Sequence, residues 1–287
     1  MKTIQIGLLD LGINSRSNGL QYLDDFVTYA RVADGLGFSR LWMSEHHMPC
    51  KVMAWTSPTI LVPLLATMTE RIRIGVAGVL LSLYTPEEVA AQFACWNRLF
   101  EGRIDLGVAS GTVTAANDVL ITGSDRTQEE RFETHLETLA RLLADRDAPP
   151  IWSLSNGPGR SMARSITYGT HMSKAVYAFG SRKRLETAQL SDYRASFEAR
   201  HGRPPRVNLL ISGVCQTDEV KAAAALDTHY HPDKEVILLG SPRFFQEHIL
   251  ACAEQYDINE VIFLNMAAGA SARIRSLELL SQALSLT

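Results

Sequence analysis

The stretch RIRIGVAGVLLSLYTPEEVAAQFACWNRLFEGRIDLGVASG, residues 71–111, has two short apolar runs on either side of a longer helical pattern. The apolar runs at 72–76 and 104–108 have the length of buried strands. Between them, Thr85 can act as an N-cap, Pro86 takes the first helical position, and acidic residues fill the first turn. A glycine follows as a stop signal. The stretch therefore predicts a strand–helix–strand unit.

The same alternation of short apolar runs and helical patterns continues along the chain. Strands are predicted at residues 4–9, 40–44, 72–76, 104–108, 151–154, 175–179, 207–214 and 260–264. Helices are predicted at residues 23–36, 58–70, 86–99, 127–145, 161–169, 182–201, 217–229, 242–256 and 273–285. Eight strands alternating with helices in 287 residues predict an α/β fold, a (β/α)8 TIM barrel, with an open doubly wound sheet as the alternative. No repeat or clear linker divides the sequence, so residues 1–287 are expected to form one domain.

The composition is that of an ordinary globular protein, with 46% hydrophobic and 21% charged residues. A net charge of −3 gives no positive surface for nucleic acid or an anionic membrane. No segment approaches the roughly 20 apolar residues of a spanning helix, and the N-terminus is typical of a first strand rather than a signal peptide. The four cysteines are scattered without a CxxC pair. A reduced, cytoplasmic protein is expected.

The segment LWMSEHHMPCK, residues 41–51, places Glu45, His46 and His47 just after the second predicted strand. In a barrel, active sites gather where strands end and loops begin. Adjacent histidines on an extended chain point in opposite directions, which argues against a metal site built from this segment alone. One buried, hydrogen-bonded histidine beside a surface histidine is the structural alternative. At the rim of a barrel the pattern favours acid–base chemistry.

Small residues follow the third and fourth predicted strands. Ala77 and Gly78 allow close approach of the backbone to a flat ligand, although a bulge at a barrel corner explains them equally well. Ala109 and Ser110 are typical of a loop whose backbone N–H groups face a ligand, or of an ordinary connecting loop.

The loop after the fifth predicted strand, LSNGPGRSMARS at residues 154–165, leads into a helix. The N–H and hydroxyl of Ser161, with Arg160 or Arg164, can bind a phosphate at the positive end of that helix. The segment matches neither a Walker A loop nor a GxGxxG fingerprint. A capped turn without a ligand is the alternative.

Taken together, these motifs resemble the bacterial luciferase-like flavin monooxygenase family. GFSRLWMSEHH (37–47) is similar to the family's second strand with its Glu-His-His ending. The block at 57–111 resembles the family's longest shared segment, and LLGSPRFFQEHILACAEQYDINEVIF (238–263) resembles its C-terminal helix and last strand. The short form is closest to members found in biosynthetic clusters.

The resemblance implies a luciferase-like barrel that uses reduced FMN (FMNH2) and O2, through a C4a-peroxyflavin, to oxygenate a small organic or biosynthetic intermediate. It implies catalytic roles for His46, with His47 as its neighbour and Glu45 orienting. The flavin-binding residues carried over are Ala77, Gly78, Ala109, Ser110, Asn156, Gly157, Arg160 and Ser161. The Ala77–Gly78 bond falls where the family has a non-prolyl cis peptide. A separate NAD(P)H:flavin reductase, a homodimer and a possibly carrier-bound substrate are also implied.

Two departures from the family leave other functions open. Ser110 stands where many members carry an arginine or another polar group that reaches the flavin phosphate, and several loops are shorter than in luciferase itself. An F420-dependent dehydrogenase of the same superfamily is therefore one alternative. A non-catalytic flavin-binding protein and a metal-dependent hydrolase are the others. The predicted strand ends suggest a largely aromatic or apolar substrate pocket, lined by Leu8, Asp10, Met48, Trp55, Tyr84, Tyr177 and Phe179.

Overall fold

The computed structural model describes residues 4–13, 19–47, 53–111, 115–144, 148–155, 160–177, 185–227 and 237–286. The strands within these ranges are β1 (Gln5–Asp10), β2 (Arg40–Met43), β3 (Arg73–Leu80), β4 (Ile104–Ala109), β5 (Ile151–Ser155), β6 (His171–Tyr177), β7 (Val207–Cys215), β8 (Ile237–Gly240) and β9 (Glu260–Asn265). The helices are α1 (Gly19–Gly35), α2 (Leu61–Met68), α3 (Pro86–Leu99), α4 (Ala115–Thr122), α5 (Gln128–Leu142), α6 (Arg160–Tyr168), α7 (Thr187–His201), α8 (Glu219–Ala225), α9 (Pro242–Tyr256) and α10 (Ala270–Leu284). None of these helices is long and apolar enough to cross a bilayer.

Eight parallel strands close into a barrel. Strands β1 to β7 pair in chain order, β7 pairs with β9, and β9 pairs with β1. The predicted (β/α)8 TIM barrel is confirmed, and the open doubly wound sheet is wrong. These eight strands correspond to the eight predicted from the sequence. The short β8 was not predicted, and it pairs with Ser212–Cys215 of β7, beyond Ile211, where pairing with β6 stops.

Helix α3 shows why some helix boundaries could be predicted from the sequence. Thr85 is its N-cap and accepts a hydrogen bond from the N–H of Glu88 at 3.4 Å, and Pro86 begins the helix. Ser241 caps α9 in the same way, and both helices match their predicted bounds. By contrast, α4 lies in a segment predicted as loop.

Strand β6 begins four residues earlier than predicted, at His171 instead of residue 175. Its first residues include a histidine, a serine and a lysine, which interrupt the apolar pattern expected of a buried strand. The barrel nevertheless buries them, and the ring of His171 packs 5.2 Å from that of Trp152. Burial and nearby arginines lower the pKa of His171 to about 3, so the ring is neutral there.

The barrel has a charged floor near the amino ends of its strands. Arg40 donates to Asp105 at 2.6 Å and to Glu260 at 2.7 Å, and all three side chains are buried. Its guanidinium lies 4.8 Å from the ring centre of Trp152. A side chain at Gly7 would collide with Arg40, so this position must be glycine. The floor closes one end of the barrel and leaves the other end for a site.

Two apolar cores surround this framework. The larger one lies between the strands and the helices and includes Ile6, Leu8 and Phe93. The smaller one fills the barrel and includes Leu9 and Trp42. Because both faces of each strand are covered, the strand sequences are mostly continuous runs of apolar residues.

Candidate active site

A cavity of about 400 Å³ opens at the carboxyl ends of the barrel strands. This volume lies within the range of small-molecule and cofactor sites. Its wall is mostly aliphatic, with a small set of polar side chains on one side. The cavity is lined by Leu9, Leu11, Trp42, Ser44, Glu45, His46, His47, Ala77, Gly78, Leu80, Ala109, Ser110, Gly111, Leu154, Ser173, Ala175, Leu210 and Ile262. Seven of the residues predicted for the site are therefore brought together here.

Glu45 is the organising residue of the polar side. Its carboxylate is 2% exposed and accepts three hydrogen bonds. Oε1 accepts from Nε2 of His47 at 2.7 Å and from the hydroxyl of Tyr84 at 2.5 Å. Oε2 accepts from the backbone N–H of Leu80 at 2.9 Å. The carboxylate thus ties the segment after β2 to the end of β3 and to the turn that follows.

The two histidines are held differently. The hydrogen bond to Glu45 raises the pKa of His47, although partial burial opposes it. Since a carboxylate only accepts, His47 must carry its proton on Nε2. Burial lowers the pKa of His46 and outweighs the opposing charge of Glu45. Among the described residues, Nε2 of His46 is buried and has no hydrogen-bond partner.

Small residues line the cavity on β3, the strand next to this cluster. The Ala77–Gly78 peptide bond is cis, as the family resemblance implies. A Cβ at Gly78 would lie 2.7 Å from Cδ1 of Leu154 and 2.8 Å from the backbone of Val108. Glycine is therefore required at this position, and with Ala77 and Ala109 it lines the cavity with little side-chain volume.

The predicted phosphate-binding residues lie apart from the cavity lining. Arg160 begins α6, its side chain is 79% exposed, and it pairs with Glu129 at 3.1 Å. Arg164 pairs with Glu133 at 2.6 Å and also contacts Glu129. Ser161 lies in the first turn of α6. Asn156 and Gly157 fall outside the described residues.

Sequence reasoning missed several cavity residues and misplaced others. Ser44, Ser173, Ala175, Leu210 and Ile262 line the cavity but were not predicted as site residues. Leu8 and Trp55 instead pack in the outer core, so their predicted place in the pocket was wrong. Successive side chains along a strand point alternately into the barrel and toward the helices. Because these strands are buried on both faces, both sets of residues are apolar, and the sequence does not show which set points inward.

Asp10 was also predicted to line the pocket, and this was wrong. Its carboxylate points away from the cavity and forms a buried ion pair with Arg273 of α10. It also accepts hydrogen bonds from the hydroxyl of Tyr22 at 2.9 Å and the N–H of Gly12 at 2.7 Å. Asp10 therefore fastens α1 and α10 to the end of β1. Tyr84 reaches Glu45 behind the cavity wall, whereas Met48 and Phe179 lie outside the described residues.

No group of three or more histidine, cysteine, aspartate or glutamate side chains in the described ranges is arranged to hold a metal ion. Nε2 of His47, a possible metal ligand, is instead hydrogen-bonded to Glu45.

Comparison with known sequences finds relatives among the luciferase-like monooxygenases. The luciferase-like monooxygenase family matches residues 4–248. The uncharacterized protein YwcH of Bacillus subtilis is 25% identical over 336 positions, covering 98% of this chain and 99% of YwcH. N-acetyl-S-alkylcysteine monooxygenase of the same organism is 32% identical over 145 residues, covering 50% of this chain and 43% of that protein. F420-dependent glucose-6-phosphate dehydrogenase of Amycolatopsis mediterranei is 32% identical over 136 residues, covering 46% and 38%.

The YwcH alignment is longer than the 287 residues of this chain. YwcH therefore carries insertions that this chain lacks.

Solved structures share the fold over the whole chain. The apo form of MsnO8 superposes with a TM-score of 0.87 at 23% identity, covering 99% of both chains. The oxygenating constituent of 3,6-diketocamphane monooxygenase from Pseudomonas putida, solved with FMN, gives a TM-score of 0.75 at 17% identity, covering 98% of both chains. With the family match over residues 4–248, the chain belongs to the luciferase-like monooxygenase family.

Proposed function

We propose that this protein is a two-component, FMN-dependent monooxygenase that oxygenates a small organic molecule or biosynthetic intermediate. The observation that carries the proposal is the cavity at the barrel mouth, where small residues lie beside His46, whose buried Nε2 has no hydrogen-bond partner among the described residues. Membership of the family supports the reaction class.

The residues at this mouth fit a flavin ring. Ala77, Gly78 and Ala109 leave room at the cavity wall for a planar heterocycle, and the segment after β2 offers polar atoms beside it. Two of these, the hydroxyl of Ser44 and Nε2 of His46, are buried without a partner among the described residues. Buried polar groups without partners cost stability, so a ligand that supplies hydrogen bonds to them is expected.

His46 is assigned the acid–base role. Its lowered pKa keeps the ring neutral near pH 7, so that one nitrogen can accept a proton and later return it. Glu45 and His47 hold the segment in place and supply a fixed charge beside it. The reduced flavin, when bound, supplies the two electrons with which O2 yields one oxygen atom to the substrate and one to water.

The flavin tail is assigned to the loops after β4 and β5. Ala109 and Ser110 line the cavity, and Asn156, Gly157, Arg160 and Ser161 follow β5. Backbone N–H groups in the first turn of a helix can bind a phosphate, and α6 begins at Arg160. To bind the phosphate, Arg160 must give up its ion pair with Glu129. This cost limits the contribution of Arg160 to phosphate binding.

A separate flavin reductase is the expected partner. The 3,6-diketocamphane enzyme is described as an oxygenating constituent, which means that another protein completes its reaction. A reductase that uses NAD(P)H would supply reduced FMN to this chain in the same manner.

A homodimer through α2 is also proposed. Ile60, Leu64 and Met68 lie four residues apart on one helix face, and their side chains are 74%, 42% and 47% exposed. An apolar stripe of this kind is unusual on a monomer. Leu64→Glu is expected to convert a dimer to monomers in sedimentation velocity, whereas Val220→Glu on α8 leaves the dimer intact. A wild-type monomer at micromolar concentration contradicts the dimer.

The second candidate is an F420-dependent dehydrogenase. It is favoured by the match to the F420-dependent glucose-6-phosphate dehydrogenase. Here His46 would take the proton of an alcohol while hydride passes to the cofactor.

The two candidates differ in the fate of O2. Purified protein with photoreduced FMN is mixed with 18O2 and a panel of neutral thioethers, ketones and aromatic compounds, and the products are analysed by mass spectrometry. A product containing one 18O atom, lost in His46→Ala, supports the monooxygenase. F420 reduction by an alcohol panel without oxygen incorporation supports the dehydrogenase instead.

A further inference from the structure

Ser44 is a buried polar residue at the cavity that no role so far explains. Its side chain is 4% exposed, and its hydroxyl has no hydrogen-bond partner among the described residues. Its backbone is fully used, because the N–H donates to the carbonyl of Asp10 at 2.9 Å and the carbonyl accepts from the indole of Trp55 at 3.0 Å. The fold therefore needs the backbone of Ser44 and leaves its hydroxyl unused.

The hydroxyl lies on the cavity side of the chain. Ser44 lines the cavity, and its N–H extends the β2–β1 ladder by one hydrogen bond. Trp42, two residues earlier, and His46, two residues later, line the same cavity. The buried Nε2 of His46 is likewise without a partner among the described side chains. Two unsatisfied polar atoms therefore stand at one wall of one cavity.

We propose that Ser44 is a ligand-binding residue which, together with His46, hydrogen-bonds the heteroatom edge of the cofactor ring. The proposal rests on the proposed function, since it takes a planar heterocycle as the ligand. A serine hydroxyl can donate and accept, and a neutral imidazole nitrogen can do either. The pair is suited to adjacent polar atoms, such as a carbonyl oxygen beside a ring nitrogen.

The charged and titratable groups around the pair are those of the Glu45 cluster. Glu45 and His47 lie beside His46, and Tyr84 contacts Glu45 from the turn after β3. None of them donates to Ser44 in the described structure. Replacing the Ser44 hydroxyl therefore leaves this cluster intact.

The test compares Ser44→Ala with Ser153→Ala. Ser153 is equally buried, but its hydroxyl bonds Thr170 at 2.6 Å and faces away from the cavity. In the ligand-free protein, Ser44→Ala is expected to melt at the wild-type temperature or above it, because an unsatisfied hydroxyl is removed, whereas Ser153→Ala melts lower. Loss of melting temperature in Ser44→Ala equal to that in Ser153→Ala would show a structural role and overturn the proposal.

Binding supplies the second readout. In anaerobic fluorescence titrations, Ser44→Ala is expected to raise the Kd for reduced FMN about 3- to 10-fold, the loss of one hydrogen bond, while Ser153→Ala leaves it unchanged. In a double-mutant cycle with His46→Asn, the two losses are expected to be non-additive. An unchanged Kd in Ser44→Ala overturns this inference alone. If the wild type binds neither FMN nor F420, the proposed function itself fails.

Discussion

At the residue scale, the site depends on how one carboxylate distributes its hydrogen bonds. Glu45 accepts hydrogen bonds from His47, Tyr84 and Leu80, which lie in three different parts of the chain. Burial and the charge of Glu45 raise the pKa of Tyr84, so its hydroxyl remains a donor. The consequence is that two adjacent histidines have opposite pKa shifts. The hydrogen bond to Glu45 raises the pKa of His47, and burial lowers the pKa of His46 at the cavity.

Glu45→Gln is therefore expected to lower the pKa of His47, because the charged acceptor on Nε2 is lost. The measurement is an NMR titration of the histidine ring protons in flavin-free protein. Tyr84→Phe is the control, since it keeps the Glu45 charge and the raised pKa. A His47 pKa that is the same in Glu45→Gln and wild type contradicts this assignment.

The same pair sets a pH dependence of stability. Because the folded pKa of His47 is raised, the pair stabilises the protein fully below the unfolded histidine pKa. This contribution is lost as the pH rises through the folded pKa. Urea unfolding at a series of pH values should show the loss in wild type and not in Glu45→Gln. Equal pH profiles in the two proteins would count against it.

At the element scale, two helices brace the turn that follows β3. The side chain of Arg131 on α5 is buried and donates to the carbonyl of Ser82 at 3.0 Å. It also forms an ion pair with Asp118 on α4. Nδ1 of His135 donates to the carbonyl of Leu81 at 2.9 Å. The turn carries Tyr84 toward Glu45, so these helices support the site without lining it.

Arg131→Met is expected to destabilise the protein by about 3–5 kcal/mol, because Asp118 is left buried without its charge partner. Urea unfolding gives the change. The double variant Arg131→Met with Asp118→Leu removes both charges and should recover much of the loss. If the single and double variants are equally unstable, the ion pair is not the cause.

Elements with strong local signals were predictable, and those fixed by packing were not. Helices α3 and α9 carry N-caps followed by proline, and their bounds matched. Strand β8 has four residues and exists only because β7 offers a partner. Likewise Glu45, His46 and His47 were identified as a motif, whereas Ser44 beside them is informative only once its hydroxyl is seen to lack a partner. The expectation that residues 1–287 form one domain stays a prediction.

At the scale of the whole molecule, the residues that stabilise the barrel and the residues that form the candidate site lie at opposite ends of the strands. The floor is a buried ionic network around Arg40 and Asp105, and the cavity lies at the opposite ends of the strands. In barrels of this kind the amino end serves stability and the carboxyl end serves function. Changes at the floor should therefore affect unfolding and leave ligand binding unchanged.

Arg40→Met tests this separation. It leaves Glu260 and Asp105 with fewer partners and is expected to cost about 3 kcal/mol in urea unfolding. The Kd for reduced FMN should not change. Arg275→Met, which removes an exposed ion pair with Glu278, is the control and should cost less than about 1 kcal/mol. A floor variant that folds stably but binds the cofactor more weakly contradicts the separation.

The central claim is that the mouth of the barrel holds a reduced flavin. The most direct measurement is an anaerobic fluorescence titration of the wild-type protein with photoreduced FMN, oxidised FMN and F420. Reduced FMN is expected to bind more tightly than either of the other two ligands. Preferential binding of F420 would contradict the monooxygenase and support the dehydrogenase. Failure to bind any of the three, in protein shown to be folded, would contradict the account as a whole.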